Sequence, residues 1–174
     1  MRKTAYGISI ETLTAEMAEQ VRLWRNLPFV RKQMEYKEFI SPEMQQAWFA
    51  SVQNEQYAYF LIYVGKIPAG LIHLAAINKE TRTAEAGLFI GEEAFYGTGV
   101  ALGASLMLLD YAFYELNLKA VFAKVKNGNL PAENYNALLG FEKIEPVNEQ
   151  FNRWRLLKSI YTQNKARLEM LIAP

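Results

Sequence analysis

The spacing of apolar positions changes period several times along the chain. Residues 6–10 (Tyr-Gly-Ile-Ser-Ile) read as a short first strand, and Thr14 then stands as the N-cap of a helix over 15–24, where Met17, Val21 and Trp24 share a face. A second helix opens at Ser41-Pro42-Glu43, with a capping hydroxyl, a proline at the first helical position and a carboxylate facing the dipole, and runs to about Val52. From Tyr57 to Glu92 the pattern is that of a meander. Three antiparallel strands are predicted at 58–64, 69–77 and 84–90, separated by turns at Gly65-Lys66 and at 78–82. Residues 100–117 are apolar nearly all round, as in a helix pressed on a sheet and covered by its neighbours. A strand follows at 119–125. Asn129-Leu130-Pro131-Ala132 then opens a short helix that ends at Gly140, residues 141–144 begin a further strand, 153–161 is its expected partner, and a basic amphipathic helix closes the chain. The order β, α, α, β, β, β, α, β, α, β, β, α predicts an α/β (α+β) chain with a mixed sheet.

Composition narrows the chemistry. The 174 residues fit one domain spanning 1–174, and 19 Lys plus Arg against 18 Asp plus Glu give a formal net charge of +1, so no overall field draws in nucleic acid or an acidic membrane. With no cysteine there is no thiolate nucleophile and no Cys-type metal site, and the single histidine, His73, makes most imidazole chemistry unexpected. No metal is expected. The N-terminal residues lack the apolar core of a signal peptide and no stretch nears a spanning length, so a soluble, cytoplasmic protein with no membrane partner is expected.

The most informative segment is Ile90 to Ala101, which leads from a strand into the long apolar helix through Gly97 and Gly99. Backbone amides at such a helix start, free of side chains, form a donor set suited to phosphate oxygens. Glycines making only a tight turn are the plain alternative. A dinucleotide fingerprint would have to follow the first strand of a βαβ unit, and a P-loop would need a closing Gly-Lys-Ser/Thr; neither context is present.

This segment resembles the signature of the GNAT superfamily of acetyl-coenzyme A dependent N-acetyltransferases, in which Gln or Arg is followed by two residues, Gly, one residue, and Gly or Ala. Gly99 and Ala101 match, while Tyr96 stands where the family has Gln or Arg. A second family element, Asn followed by a small residue three later and Gly-Phe eleven and twelve later, matches at Asn129, Ala132, Gly140 and Phe141. The resemblance covers roughly residues 6 to 160. It implies a mixed, mostly antiparallel sheet of about seven strands flanked by helices and splayed between the fourth (84–90) and fifth (119–125) strands. It also implies acetyl-CoA as co-substrate. Its pyrophosphate would lie on the amides of Gly97, Thr98, Gly99, Val100 and Ala101, beside Tyr96. Its pantetheine arm would run along the main chain of Leu88, Phe89 and Ile90, with Asn129 and Asn136 turned toward it.

Acetyl transfer to an amine needs a donor for the carbonyl oxygen, a neutral amine and a proton for the leaving thiolate. Many relatives place a tyrosine acid seven residues after the Asn; here that position is Asn136, and Tyr135 comes one earlier, an offset that turns a helical side chain by about 100°. Tyr135 is therefore read as a catalytic acid or as a core residue. Glu85, on the strand entering the site, is the candidate base, directly or through water, with a surface carboxylate as the alternative. His73 reads as a structural histidine, and Glu92-Glu93 as a solvated pair.

The N-terminal third resembles the nucleotide-linked amino-sugar acetyltransferases, including those of the pseudaminic acid pathway, in Trp24-Arg25-Asn26, in Val30-Arg31 with Met34, and in Gln45 followed by Trp48-Phe49, with Gln45 where those enzymes have His. That likeness implies a small-molecule acceptor, the amine of a nucleotide-linked amino sugar, with Arg31 or Lys32 at the diphosphate, Met34 among the substrate residues, and a uracil ring on Tyr36 or Phe49; the alternatives are that Trp24, Trp48 and Phe49 are helix core and that Arg31 and Lys32 form a solvated face. At the cofactor motifs the chain also resembles the ribosomal-protein acetyltransferases, so acetylation of a protein N-terminus is the alternative reaction. A non-catalytic acyl-CoA binding protein is the alternative outside enzymes. Acidic residues are not concentrated as a polyamine groove would require. Leu156, Leu157, Ile160, Leu168, Met170, Leu171 and Ile172 would cover the core or a subunit contact, which leaves room for a homodimer.

Overall fold

A computed structural model describes residues 1–172. Eight strands, β1 (Arg2–Ala5), β2 (Ile8–Thr12), β3 (Ala58–Val64), β4 (Ile67–Asn78), β5 (Thr83–Ile90), β6 (Ala120–Lys126), β7 (Glu142–Pro146) and β8 (Phe151–Leu157), form one sheet in the order β1-β2-β3-β4-β5-β6-β8-β7. All neighbours are antiparallel except β5 and β6. The expected mixed, mostly antiparallel sheet is thus present, with one strand more than predicted. The extra strand arises because Tyr6-Gly7 is not strand but a two-residue hairpin turn, both residues at positive φ (54° and 74°), which folds Arg2–Ala5 back on Ile8–Thr12.

Six helices flank the sheet: α1 (Ala15–Asn26), α2 (Pro28–Arg31), α3 (Pro42–Ser51), α4 (Val100–Asp110), α5 (Leu130–Leu139) and α6 (Lys158–Met170). Ser41 caps α3 as expected, its Oγ accepting from Met44 N at 3.2 Å, whereas Thr14 caps α1 by position only. The long apolar stretch is α4 followed by one π-helical turn over Tyr111–Glu115. Strand β8 ends at Leu157, so Tyr161 lies in α6 rather than in a strand; its ring is fully buried and its hydroxyl donates to Asp110 Oδ1 at 2.8 Å. Of the C-terminal apolar positions, Leu156 and Leu168 are core, while Leu157, Ile160, Met170 and Leu171 are exposed.

Alternation along the strands feeds two cores. On β3, Phe60 and Ile62 join the larger one, built with α4, α5 and α6. Leu61, with Leu71, joins a smaller one that buries Leu13, Val21 and Trp24. The first core nearly surrounds α4, and Gly103 lets it approach the first hairpin, since a Cβ there would stand 3.2 Å from Ile8 Cδ1. No helix among the described residues is long and apolar enough to cross a membrane.

Candidate functional site

Strands β5 and β6 are paired only from Thr83↔Ala120 to Ala86↔Ala123. Beyond that point they part. β5 stays with β4 as far as Ile90↔Gly70, and β6 stays with β8 as far as Lys126↔Phe151. Gly87–Ile90 and Lys124–Lys126 therefore present unpaired edges to each other across a gap, and a backbone edge left unpaired needs hydrogen-bond partners from outside the sheet.

The gap opens onto the turn before α4. Gly97 and Gly99 hold φ of 72° and 81°, a left-handed backbone that favours glycine. The first carbonyl-bound amide of the helix is that of Gly103, which donates to Gly99 O at 2.9 Å; the amides of residues 97–102 have no carbonyl partner among the described residues. A run of free donors at the positive end of an apolar helix, with no side chain on two of its residues, suits a pyrophosphate. Tyr96 stands at the edge of this turn, its hydroxyl donating to Ile90 O at 3.3 Å and its ring meeting Phe29 edge-on at 6.0 Å. Split edges and free amides together fit two successive parts of acetyl-CoA, the pantetheine arm and the diphosphate it is joined to.

One cavity of about 1470 Å³ joins these features. Of the residues expected at the cofactor, Leu88, Phe89, Ile90, Tyr96, Gly97, Thr98, Gly99, Ala101, Asn129 and Asn136 line it, whereas Val100 is turned into the core. Asn129 caps α5, accepting from Ala132 N at 3.4 Å, and its Nδ2 donates to Gln33 Oε1 at 3.2 Å. Asn136 Nδ2 donates to Ala132 O one turn back, at 2.8 Å.

Tyr135 also lines the cavity, yet its hydroxyl is engaged on α4. It donates to Ala101 O at 2.9 Å and lies 2.7 Å from Ser105 Oγ, which leaves Ser105 as the donor in that pair. Burial pushes this phenol above its usual range. The one-residue offset thus directs the tyrosine onto the neighbouring helix. Glu85 sits in the paired part of β5, between Ala75 and Phe122, one residue before the split and outside the cavity wall.

Of the residues expected at the acceptor, Met34 and Tyr36 line the cavity, and Arg31 and Phe49 do not; Lys32 and Gln33 take Arg31's place, and Phe49 packs against the smaller core. The 32–36 segment bridges the gap. Lys124 Nζ pairs with Glu35 Oε2 at 2.8 Å and Lys126 Nζ donates to Lys32 O at 3.2 Å. Gln45 is buried, its Nε2 donating to Ala18 O at 2.7 Å to tie α3 to α1.

Arg25 and His73 line the same cavity without having been assigned a site role from sequence, and Tyr59, Lys124 and Lys126 line it without having been singled out at all. Tyr59 and His73 are opposite partners on β3 and β4, stacked with ring centroids 4.6 Å apart, and Gly87 is the next position in the row. A Cβ on Gly87 would lie 2.2 Å from His73 Cε1, so the imidazole occupies the space that glycine leaves. Burial, with the charge of Arg25 adding to it, pushes His73 down to about 4, so the ring is neutral at neutral pH. One signal for Arg25 was local: it lies four residues after Val21, on the helix face that is buried. The pair Glu92-Glu93 is not uniformly solvated either, since Glu92 accepts a hydrogen bond from Trp24.

Comparison with known proteins gives a family and several relatives. Residues 8–142 match the model of the acetyltransferase (GNAT) domain. Spermidine N(1)-acetyltransferase of Escherichia coli K12 is 28% identical over 151 residues, covering 85% of this chain and 80% of that protein. The structure of a nucleotide-linked sugar GNAT, FdhC, superposes with a TM-score of 0.84 at 18% identity, covering 99% of both chains. That of spermidine N-acetyltransferase from Vibrio cholerae, in complex with CoA and spermine, gives 0.79 at 22% identity, covering 91% of this chain and 99% of that one.

Proposed function

The chain belongs to the GNAT acetyltransferase family, and from that premise we propose that it acetylates the amino group of a nucleotide-linked amino sugar. At the coarser level it is an acetyl-CoA dependent N-acetyltransferase acting on an amine. Acetyl-CoA, when bound, supplies an acetyl group activated as a thioester. The remaining work falls to the chain's own residues. In this reading the amides of Gly97–Ala101 hold the pyrophosphate, and the unpaired edge of Leu88–Ile90 orients the arm and offers main-chain donors to the carbonyl oxygen. Glu85, one residue from the split, takes the proton of the acceptor ammonium through water, and the second proton shed by the nitrogen as the C–S bond breaks goes to the departing thiolate.

The observation that carries the acceptor assignment is the charge on the cavity wall. Arg25, Lys32, Lys124 and Lys126 line it; Lys124 is paired with Glu35, and the other three face one lining carboxylate, Glu93. Such a wall attracts a diphosphate and repels a polycation. Lys32, at the mouth beside Tyr36, fits a diphosphate next to a stacked base. The likeness to the nucleotide-linked sugar enzyme FdhC agrees with this assignment. A second reading, polyamine acetylation, is favoured by the identity to the Escherichia coli spermidine enzyme, but it would place a multiply charged cation beside Arg25.

The deciding experiment is turnover of acetyl-CoA with UDP- and dTDP-linked amino sugars, spermidine, and peptides bearing ribosomal-protein N-termini. The nucleotide-linked amino sugars are expected to give the highest kcat/KM. A preference for spermidine or for a peptide would replace the assignment.

A further inference from the structure

Trp24, Arg25 and Asn26 end helix α1 above the acceptor end of the cavity, and two of the three have partners. Trp24 Nε1 donates to Glu92 Oε1 at 2.8 Å. Asn26 exchanges two hydrogen bonds with Ile40, each at 2.9 Å, and so closes the loop that carries Met34 and Tyr36. Arg25 has neither kind of support. Its Nε is buried without a hydrogen-bond partner, and its guanidinium makes no ion pair among the described residues.

The surroundings offer no counter-charge. Val21, Trp48, Leu71 and Phe89 line this end of the cavity with Arg25, and the polar groups beside it are the Tyr59 phenol and the His73 imidazole, both neutral at neutral pH. An arginine stays protonated, and a desolvated charge without a partner is costly. The positive field is felt across the sheet, because it helps to push His73 below its ordinary value and lowers Tyr59 against its burial. No fold requirement accounts for a cation here, since a methionine of similar length would fill the same space.

Resting on the amino-sugar reading above, we propose that Arg25 is an acceptor-selecting residue that receives an anionic group of the incoming amine, a carboxylate or a phosphate. Its planar fork suits either group. The anion comes from the diphosphate linkage or from a carboxylate on the sugar ring. In either case Arg25 makes the enzyme selective for amines that carry a negative charge, and excludes those that carry a second positive one.

The test uses the full chain with Arg25→Met and Arg25→Lys. Arg25→Met should lower kcat/KM for the anionic acceptor about thirtyfold or more, mainly through KM. It should leave the KM for acetyl-CoA within about twofold and raise Tm, because it removes an uncompensated charge. Arg25→Lys should recover part of the acceptor affinity. Comparing a nucleotide-linked neutral amino sugar with a free amino-hexuronic acid identifies the source of the anion: the arm on which Arg25→Met acts carries it. If the wild type acetylates a nucleotide-linked amino sugar and Arg25→Met leaves its KM unchanged, the role of Arg25 is overturned while the functional assignment stands. If the wild type prefers spermidine to every anionic amine, the assignment itself has failed. Should Arg25→Met not fold, inhibition of the wild type by inorganic phosphate or acetate, competitive with the acceptor, takes its place; failure of both anions to compete would overturn the proposal.

Discussion

Trp24 Nε1 donates to Glu92 Oε1 at 2.8 Å, joining helix α1 to the turn that runs from β5 toward the free amides before α4. The two residues are 68 positions apart. Gly91 makes the contact possible, since a Cβ there would lie 2.2 Å from Trp24 Cδ2. The indole therefore packs directly beneath the turn, and one contact sets both the end of α1 and the start of the glycine turn before α4.

Trp24→Phe should accordingly cost about 3 kcal/mol, combining a lost hydrogen bond to a charged group with the volume removed from a buried site. Glu92→Gln keeps an acceptor oxygen for the indole and should cost about 1 kcal/mol. Urea denaturation of both variants checks the order. Equal losses would mean that the hydrogen bond, and not packing of the indole, holds the turn.

Gly99→Val should raise the dissociation constant for acetyl-CoA about tenfold or more, because a β-branched residue at φ 81° distorts the run of free amides. A Cβ there would meet Ile172 Cγ2 at 3.5 Å, an ordinary contact, so the effect is conformational rather than a clash. Gly65→Val, at φ 62° in the β3–β4 hairpin and with no neighbour within 4 Å, is the control for strain alone. It should lower Tm comparably and leave acetyl-CoA binding unchanged by isothermal titration. Similar binding losses in both variants would detach Gly99 from the cofactor.

What could be read from the sequence was what is local. The meander was legible because strand alternation is a two-residue pattern, and the ends of α5 because Asn129 and Gly140 occupy its capping positions. The first hairpin was not, since Tyr6 at φ 54° gives no compositional signal of a turn. The acceptor end was hidden for a different reason. Glu92 meets Trp24, His73 meets Tyr59 and Lys124 meets Glu35 only after β3–β6 and the 32–36 segment are assembled, and no spacing along the chain encodes those pairs.

Tyr135→Phe should lower stability by about 1–2 kcal/mol, since it breaks the bonds to Ala101 O and Ser105 Oγ that tie α5 to α4. With its proton committed to Ala101, the hydroxyl acts mainly as a clamp, and turnover should stay within a few-fold of wild type. A fall in kcat of about a hundredfold at unchanged acetyl-CoA KM would place it instead at the departing thiolate.

His73 should make the fold sensitive to mild acid. Its folded value of about 4 lies below the ordinary 6.5, so the unfolded chain binds the proton more readily. The associated stability is complete above pH 6.5 and is lost as pH falls toward 4. Between pH 7.5 and 4.5 the loss should be on the order of 2–3 kcal/mol, at 1.36 kcal/mol for each unit of separation. His73→Asn removes the titration, so its stability should fall less over that interval than that of the wild type. Glu19, Glu43 and Glu55 are held below their ordinary values by Arg22, Ser41 and Lys79 respectively, and are common to both proteins, so their contribution cancels in the difference. Urea midpoints at the two pH values measure it. Parallel declines in wild type and variant would mean that the imidazole is already solvated in the folded state, and the wall it forms with Tyr59 and Gly87 would then be open to water rather than held dry.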